Sequence, residues 1–518
     1  MIRASGSNTN NLKRRWGSVR SNPLRTPLAV ASAALLAGVL ATGCSSSGGS
    51  SSSGATVIKA ELPPNTGPIS AADNAGLKKL TSEYEAAHKG VTVQWLPNNT
   101  ASITQANAAL VSQASGGDAP DLVWEQYGPV TSGALPNGLL QNIKPFLEKP
   151  NPYAASNGSW LSLFSPSTVP YMTSPNGDID IILGSNVETG MFYSKAAFAK
   201  AGITSTPTTW AEFIADLAKL KAAGVTPFIF ADGGLCNPSW FERLATSSLL
   251  ANQISKFDVN KAQVTNGLDV AVGIHKGIIS MSNPSYAEVW KLLGQLAPYS
   301  ASGTSTYDAC SNPNATTPPL STQSLLIQGK VGILWGGSWY IPQLNSAGFA
   351  GKYGVFPEPP ITTTSTPLAL GTSTVGVIGG PNGNGQWGVT SQHADSSMTP
   401  QKTATVMNFV AWLFTPAHLG YWININQSGA DIPTETAAPV LNLPGLKSLV
   451  PTGKVPTVVD VVLDDVLSTA ATNSGLRLVQ DYVNGSMSYS AFAAQWQALL
   501  NSAAQAYATQ NNINLSKY

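Results

Sequence analysis

Charge is scarce in this sequence. Asp, Glu, Lys and Arg make up only 11% of its 518 residues, against roughly 25% in an average soluble domain. Nucleic-acid binding needs a basic face, and here 28 bases stand against 27 acids. Even that balance flatters the bases, because Arg3, Lys13, Arg14, Arg15, Arg20 and Arg25 all precede Gly43 with no acid among them. Beyond that point 22 bases face 27 acids, a net charge of −5, which argues against nucleic acid as a partner. Histidine is rarer still: His88, His275, His393 and His418 are scattered, without the spacing of metal ligands. No metal or cofactor is expected. There are three cysteines, and no internal repeat is apparent. After the first 44 residues no apolar run approaches the roughly 20 residues that cross a bilayer. What the chain does have is 43% hydrophobic residues, so it is neither disordered nor fibrous, and a length suited to two domains.

The N-terminus is distinct. Basic residues precede an uncharged run from Thr26 to Gly43 with an apolar centre from Leu28 to Leu40, the pattern of an export signal, and residues 1–43 are read as that signal. It ends in Leu40-Ala41-Thr42-Gly43-Cys44. This resembles the lipobox of bacterial lipoproteins, with the large aliphatic residue one place further from the cysteine than usual. The resemblance implies a diacylglyceryl group on Cys44, and two acyl chains suffice for stable anchoring. An ordinary secretory signal with a chance cysteine is the alternative. Arg14-Arg15 leaves both the general secretory and the twin-arginine route open. Residues 44–55 form a tether, almost pure Ser and Gly from Ser45 to Gly54, and such a composition is flexible. The expected location is the outer face of the cytoplasmic membrane, extracellular or periplasmic. In that oxidising setting Cys236 and Cys310 read as a disulfide pair. Their bridge would close about 75 residues and contribute roughly 4 kcal/mol; two buried free thiols are the alternative.

The mature chain begins as strand, helix, strand, helix, strand. Val57–Leu62 reads as a strand, Asn74–His88 as a helix with Leu77, Leu80, Tyr84 and Ala87 on one stripe, and Val91–Trp95 as a second strand. A helix over Ile103–Ser115 and a strand over Ala119–Trp124 follow. The alternation predicts a parallel sheet with helices on its faces. Ligands of such sheets lie beyond the carboxyl ends of the strands, which points to Glu125, Gln126 and Tyr127. Thr209-Trp210-Ala211-Glu212 fits a capping box, and Gly224 ends the helix it opens. Strands are expected at Val225–Phe230, Val331–Trp335 and Thr374–Ile378, and helices at Lys402–Phe414 and Ser490–Ala508. Asn312–Pro319 and Glu358–Pro367 read as loops rich in Pro and Thr.

Several segments together resemble one family, the extracellular solute-binding proteins of ABC importers, in the group that contains maltose-binding protein. Leu77 to Glu85 followed by His88 to Val93 looks like the family's first helix and second strand, and Asp118-Ala119-Pro120-Asp121-Leu122 like its third strand. Gly190-Met191-Phe192-Tyr193-Ser194-Lys195 with Phe198 to Ile203 resembles its most recognisable block, and Pro207 to Phe213 continues it. Gly329-Lys330-Val331-Gly332, Gly337-Ser338-Trp339 and Ile432-Pro433-Thr434 match in the same order. The resemblance covers residues 56–518. It implies an α/β, two-lobed, periplasmic-binding-protein-like (type II) fold with interlobe crossover strands and a central ligand cleft. One lobe would hold 56–183 and 388–436, the other 184–387 and 437–518. It also implies a monomer that is not an enzyme, binds a mono- or oligosaccharide and delivers it to ABC permease subunits.

A sugar presents two apolar faces and a rim of hydroxyls, which suit flat aromatic residues and polar groups respectively. The family positions point to Trp339, in Gly337-Ser338-Trp339, as a stacking residue and to Glu125, Gln126 and Tyr127 as a contacting loop. Trp240, after the strand ending at Phe230, lies near the implied cleft. Asn186 and Glu188 lie near the first interlobe crossing, and Trp387 near the second; Asp232 follows a strand. Each has a plainer reading as core, cap or surface. A surface-anchored glycan hydrolase using an acid pair, or the same fold with a non-sugar solute, remains open. Gly383-Asn384-Gly385-Gln386-Trp387-Gly388 matches the dinucleotide fingerprint literally. Pro381 precedes it and Trp387 to Thr390 reads as extended chain, so it is taken as a glycine-rich turn.

Overall fold

The computed structural model describes residues 55–63, 71–98, 103–124, 138–154, 158–165, 168–174, 177–229, 236–259, 261, 265–299, 322–370, 385–425, 430–450, 466–467, 469–483 and 485–518. Among them the strands, in chain order, are β1 Thr56–Glu61, β2 Val91–Leu96, β3 Leu122–Trp124, β4 Ile181–Leu183, β5 Ser185–Asn186, β6 Thr189–Ser194, β7 Phe228–Ile229, β8 Ile333–Gly337, β9 Tyr353–Phe356, β10 Gln386–Val389 and β11 Ile432–Pro433. The first sheet has the order β2-β1-β3-β10-β4 and the second the order β7-β8-β6-β9, while β5 and β11 form a separate two-stranded pair.

The expected opening unit is present. The helix Ala71–Ala87 connects β1 to β2, and Leu77, Leu80 and Tyr84 of its apolar stripe are buried. β1 pairs in parallel with both β2 and β3. β10 then enters antiparallel between β3 and β4. Gln386 and Trp387, assigned from sequence to the second lobe, therefore belong to the first sheet, and the segment read as a turn before extended chain is a central strand from Gln386 onward.

The second sheet is buried on both faces. Phe192 and Leu334 join one hydrophobic cluster, while their neighbours Met191 and Ile333 join another, because successive strand residues point to opposite faces. The first cluster runs on into the first sheet through Ile58, Val123 and Ile182, and includes Trp422 of the helix Pro416–Ile425. The second includes Trp210, Trp290, Phe492 and Trp496, so the long C-terminal helix Tyr489–Gln510 packs on the second lobe. Elements unrecognised from sequence fill this lobe. The helix Gly267–His275 is buried at every position from Gly267 to Ile274, so it shows no polar face and no amphipathic stripe.

The capping segment before Trp210 differs in one detail. The Thr209 hydroxyl accepts the Glu212 amide at 3.2 Å as expected. The Glu212 carboxylate, however, accepts from the amide and hydroxyl of Thr208, at 2.7 and 2.8 Å, one residue earlier than a capping box requires. The strand expected over Val225–Phe230 is only two residues long, and the one expected over Thr374–Ile378 lies outside the described residues.

Candidate functional site

The chain passes between the two sheets three times: from β4 to β6 through residues 184–188, between Phe356 and Gln386, and after β11 toward Leu446–Ser448, which packs on β9. Buried hydrogen bonds join these crossings to one another. Gly184 donates its amide to the Gly385 carbonyl at 2.5 Å, and Thr434 donates its amide to the Gly184 carbonyl at 3.0 Å. Gly385 donates its amide to the Ser185 hydroxyl oxygen at 2.9 Å, and Ser185 in turn donates to Asp431 at 2.7 Å. The segment around Trp160 lies along the third crossing. Ser165 donates its amide to the Thr434 carbonyl at 2.8 Å, and the Trp160 indole donates to Glu435 at 3.4 Å.

These crossings leave from matching edges of the two sheets. In the first, the carboxyl ends of β1 and β3 carry Glu61 and Trp124, beside the start of β10. In the second, the carboxyl ends of β8 and β9 and the beginning of β6 coincide, since Thr189 pairs with Gly337 and Met191 with Phe356. Open α/β sheets bind ligands at such edges.

At the second edge the aromatic residues form a contiguous row, tilted and edge-to-face. Trp339 is partly exposed and packs against both hydrophobic clusters. Its ring meets Trp240 at 5.9 Å between centroids, and Trp240 meets Trp335 at 6.2 Å. Gly337 makes this possible, because a Cβ there would run into the Trp339 ring. The Ser338 amide donates to the Glu188 carbonyl at 2.7 Å, holding the loop after β8 against the first crossing. Glu188 is only 6% exposed, while Asn186 in β5 is half-buried.

The structure thus brings Trp339, Trp240, Glu188 and Asn186 to one end of the second sheet and the first crossing. It corrects the expectation for Trp387. That side chain is 1% exposed, packed on Trp422 at 5.0 Å and Phe414 at 6.2 Å, with its indole N–H donated to the Glu61 carbonyl at 2.9 Å. It fills the core of the first lobe and presents no face to a ligand. Trp240, at 8% exposed, supports Trp339 from behind. Glu125, Gln126, Tyr127, Asp232, Cys44 and Cys310 lie outside the described residues, as does the side chain of Cys236.

Three carboxylates near these edges escaped the sequence analysis. Glu61 is half-buried and accepts the Trp124 amide at 3.2 Å; burial pushes its carboxyl up to about 7. Glu435 is raised to about 7 for the same reason. Glu358 accepts from the Trp335 indole at 2.7 Å and from the Thr189 hydroxyl, and burial raises its carboxyl as well. Only for Glu61 was there a signal, its place at the end of the first strand.

A cavity of about 610 Å³ opens elsewhere, between Ser194, Lys200, Thr226, Leu325 and Lys330. Ser194 ends β6, so the cavity lies at the edge of the sheet opposite Thr189 and Trp339. Among the described residues no group of three or more His, Cys, Asp or Glu is placed to hold a metal, and no helix is long and apolar enough to cross a membrane.

Solved structures share this architecture. A chitin oligosaccharide binding protein is 18% identical, covers 87% of this chain and 99% of its own, with a TM-score of 0.55. The cyclic alpha-maltosyl-1,6-maltose binding protein from Arthrobacter globiformis is 14% identical, with coverage of 88% and 100% and a TM-score of 0.58. A probable secreted solute-binding lipoprotein from Streptomyces coelicolor is 14% identical, with coverage of 87% and 99% and a TM-score of 0.60. At such identities the likeness establishes the two-lobed type II fold. Among curated proteins none matches. A family model of the bacterial extracellular solute-binding proteins matches residues 79–440, a span that takes in every strand from β2 to β11, and the chain belongs to that family.

Proposed function

We propose that this protein is a lipid-anchored receptor that captures a carbohydrate between its lobes and delivers it, chemically unchanged, to the permease of an ABC importer. One observation carries the choice of a sugar: a partly exposed indole, Trp339, stands at the ligand edge of the second sheet with a second indole, Trp240, packed behind it. A ring so supported offers a fixed flat face to the C–H face of a sugar. Asn186 and Glu188 supply polar groups for the hydroxyl rim. Glu125, Gln126, Tyr127 and Asp232 follow β3 and β7 in sequence and complete the set by position alone. Proteins of the same fold whose names record a chitin oligosaccharide and a cyclic maltosyl-maltose as ligands support the same class.

The lobes are assigned as 56–183 with 386–436, and 184–385 with 437–518. A ligand that touches both lobes only when they are closed shifts the population toward closure, and the permease recognises that form. Residues 1–43 direct export, Cys44 carries the lipid, and residues 44–55 hold the receptor off the membrane. Thermal unfolding of the full chain in detergent, against mono- and oligosaccharides, polyamines, peptides and polyols, tests the reading. A saccharide should raise the melting temperature through linkage and be recovered intact by mass spectrometry. Stabilisation by a charged solute alone, or cleavage of the saccharide, overturns it.

A further inference from the structure

The row of aromatic rings ends on a buried carboxylate. Behind Trp339 and Trp240 stands Trp335, 1% exposed, and its indole N–H donates to Glu358 Oε1 at 2.7 Å. The Thr189 hydroxyl donates to the same oxygen. Glu358 is itself only 2% exposed. An ionisable group in such a place is unfavourable unless its hydrogen bonds offset the loss of water, and a packing role alone is better filled by an apolar residue of similar size. Its donors come from separate parts of the site. Trp335 lies in β8 beneath Trp240, and Thr189 opens β6 immediately after Glu188 and the first crossing. Glu358 follows β9, where the chain leaves the second sheet on its second crossing.

We propose that Glu358 is a positioning residue for ligand capture. Its Oε1 fixes the plane of the Trp335 indole and so the edge-to-face Trp240–Trp339 pair, and its bond to Thr189 holds that pair in register with the first crossing. The consequence for binding rests on the carbohydrate reading above; the consequence for the Trp335 ring does not. An indole has a single N–H, so losing its acceptor leaves the ring's orientation to packing alone and lets it shift. A shift there passes to Trp240 and then to Trp339, since each ring is in contact with the next.

The test uses the full chain with 15N-labelled tryptophan, the Trp335 indole signal being assigned by its loss in Trp335→Phe. Glu358→Leu removes the acceptor, Glu358→Gln keeps one, and Thr189→Val removes the second donor. In the ligand-free protein the Trp335 signal should shift and lose protection from exchange in Glu358→Leu but stay near its place in Glu358→Gln. For a saccharide bound by the wild type, affinity should fall about tenfold in Glu358→Leu and severalfold in Thr189→Val, with Glu358→Gln restoring most of it. Glu358→Leu combined with Trp335→Phe should weaken binding little more than either alone, as expected of partners in one interaction. An unmoved Trp335 signal in Glu358→Leu overturns the proposal, as does unchanged affinity in both Glu358→Leu and Thr189→Val. Should Glu358→Leu not fold, additive losses in Thr189→Val and Trp335→Phe overturn it. If the wild type binds no saccharide, the carbohydrate reading fails while the indole signal still decides whether Glu358 holds Trp335, and the affinity comparison passes to whichever solute stabilises the protein.

Discussion

Ser185 donates its hydroxyl to Asp431 at 2.7 Å, and by that bond the first crossing between the sheets is tied to the residue before β11, the strand from which the third departs. The same hydroxyl oxygen accepts the Gly385 amide, so a single side chain joins the first two passages of the chain to the approach to the third. Ser185→Ala removes a buried bond to a carboxylate and leaves the Gly385 amide without its acceptor. It is expected to lower stability by about 1.5–3 kcal/mol, measured by denaturant unfolding. It should also change the fraction of closed protein at a given ligand concentration, measured by small-angle scattering.

Trp339→Ala removes the indole assigned to the ligand. It is expected to weaken saccharide binding by 10-fold or more, on the order of 1.4 kcal/mol, with little change in stability because the ring is partly exposed. Gly337→Ala offers a second route to the same loss, since its Cβ displaces the ring without removing it. Isothermal titration with both variants checks the prediction, and wild-type affinity in either counts against the stacking role.

Trp387→Ala is expected to behave in the opposite way. The ring is enclosed by Trp95, Trp422 and Phe414, and truncating a buried tryptophan costs about 3–5 kcal/mol. The loss should appear in the unfolding midpoint, with Trp387→Phe recovering part of it.

Glu435 makes stability depend on pH in a definite direction. Burial raises its carboxyl from an ordinary 4.5 to about 7 in the folded protein. Between those values the folded state holds a proton that the unfolded state has released, so stability falls as pH rises from 4.5 to 7 and is level above. Glu61, also raised to about 7, contributes in the same window. Glu435→Gln keeps an acceptor for the Trp160 indole and should make this fall shallower by about one proton per molecule. Urea unfolding across the window measures it.

The opening βαβαβ unit was readable because its periodicity switches cleanly from 2 to 3.6 between β1 and the helix Ala71–Ala87, and the resemblance carried the two-lobed plan. Fully buried helices such as Gly267–His275 lack that contrast. Trp387 misled because it stands between glycines in the sequence, whereas the residues that enclose it, Trp95 and Trp422, are remote and come together only when β10 enters the first sheet. Glu358 sits in a loop rich in Pro and Thr, and its partners Thr189 and Trp335 lie 169 and 23 residues away. No local pattern joins them.

The insertion of β10 between β3 and β4 bears on how the polypeptide is made. Until Gln386 has left the ribosome, β3 and β4 have no partner between them, and each keeps a bare edge capable of recruiting a strand from another molecule. A product truncated anywhere before that residue is therefore prone to self-association, whereas one ending after Val389 has all five strands of its first sheet.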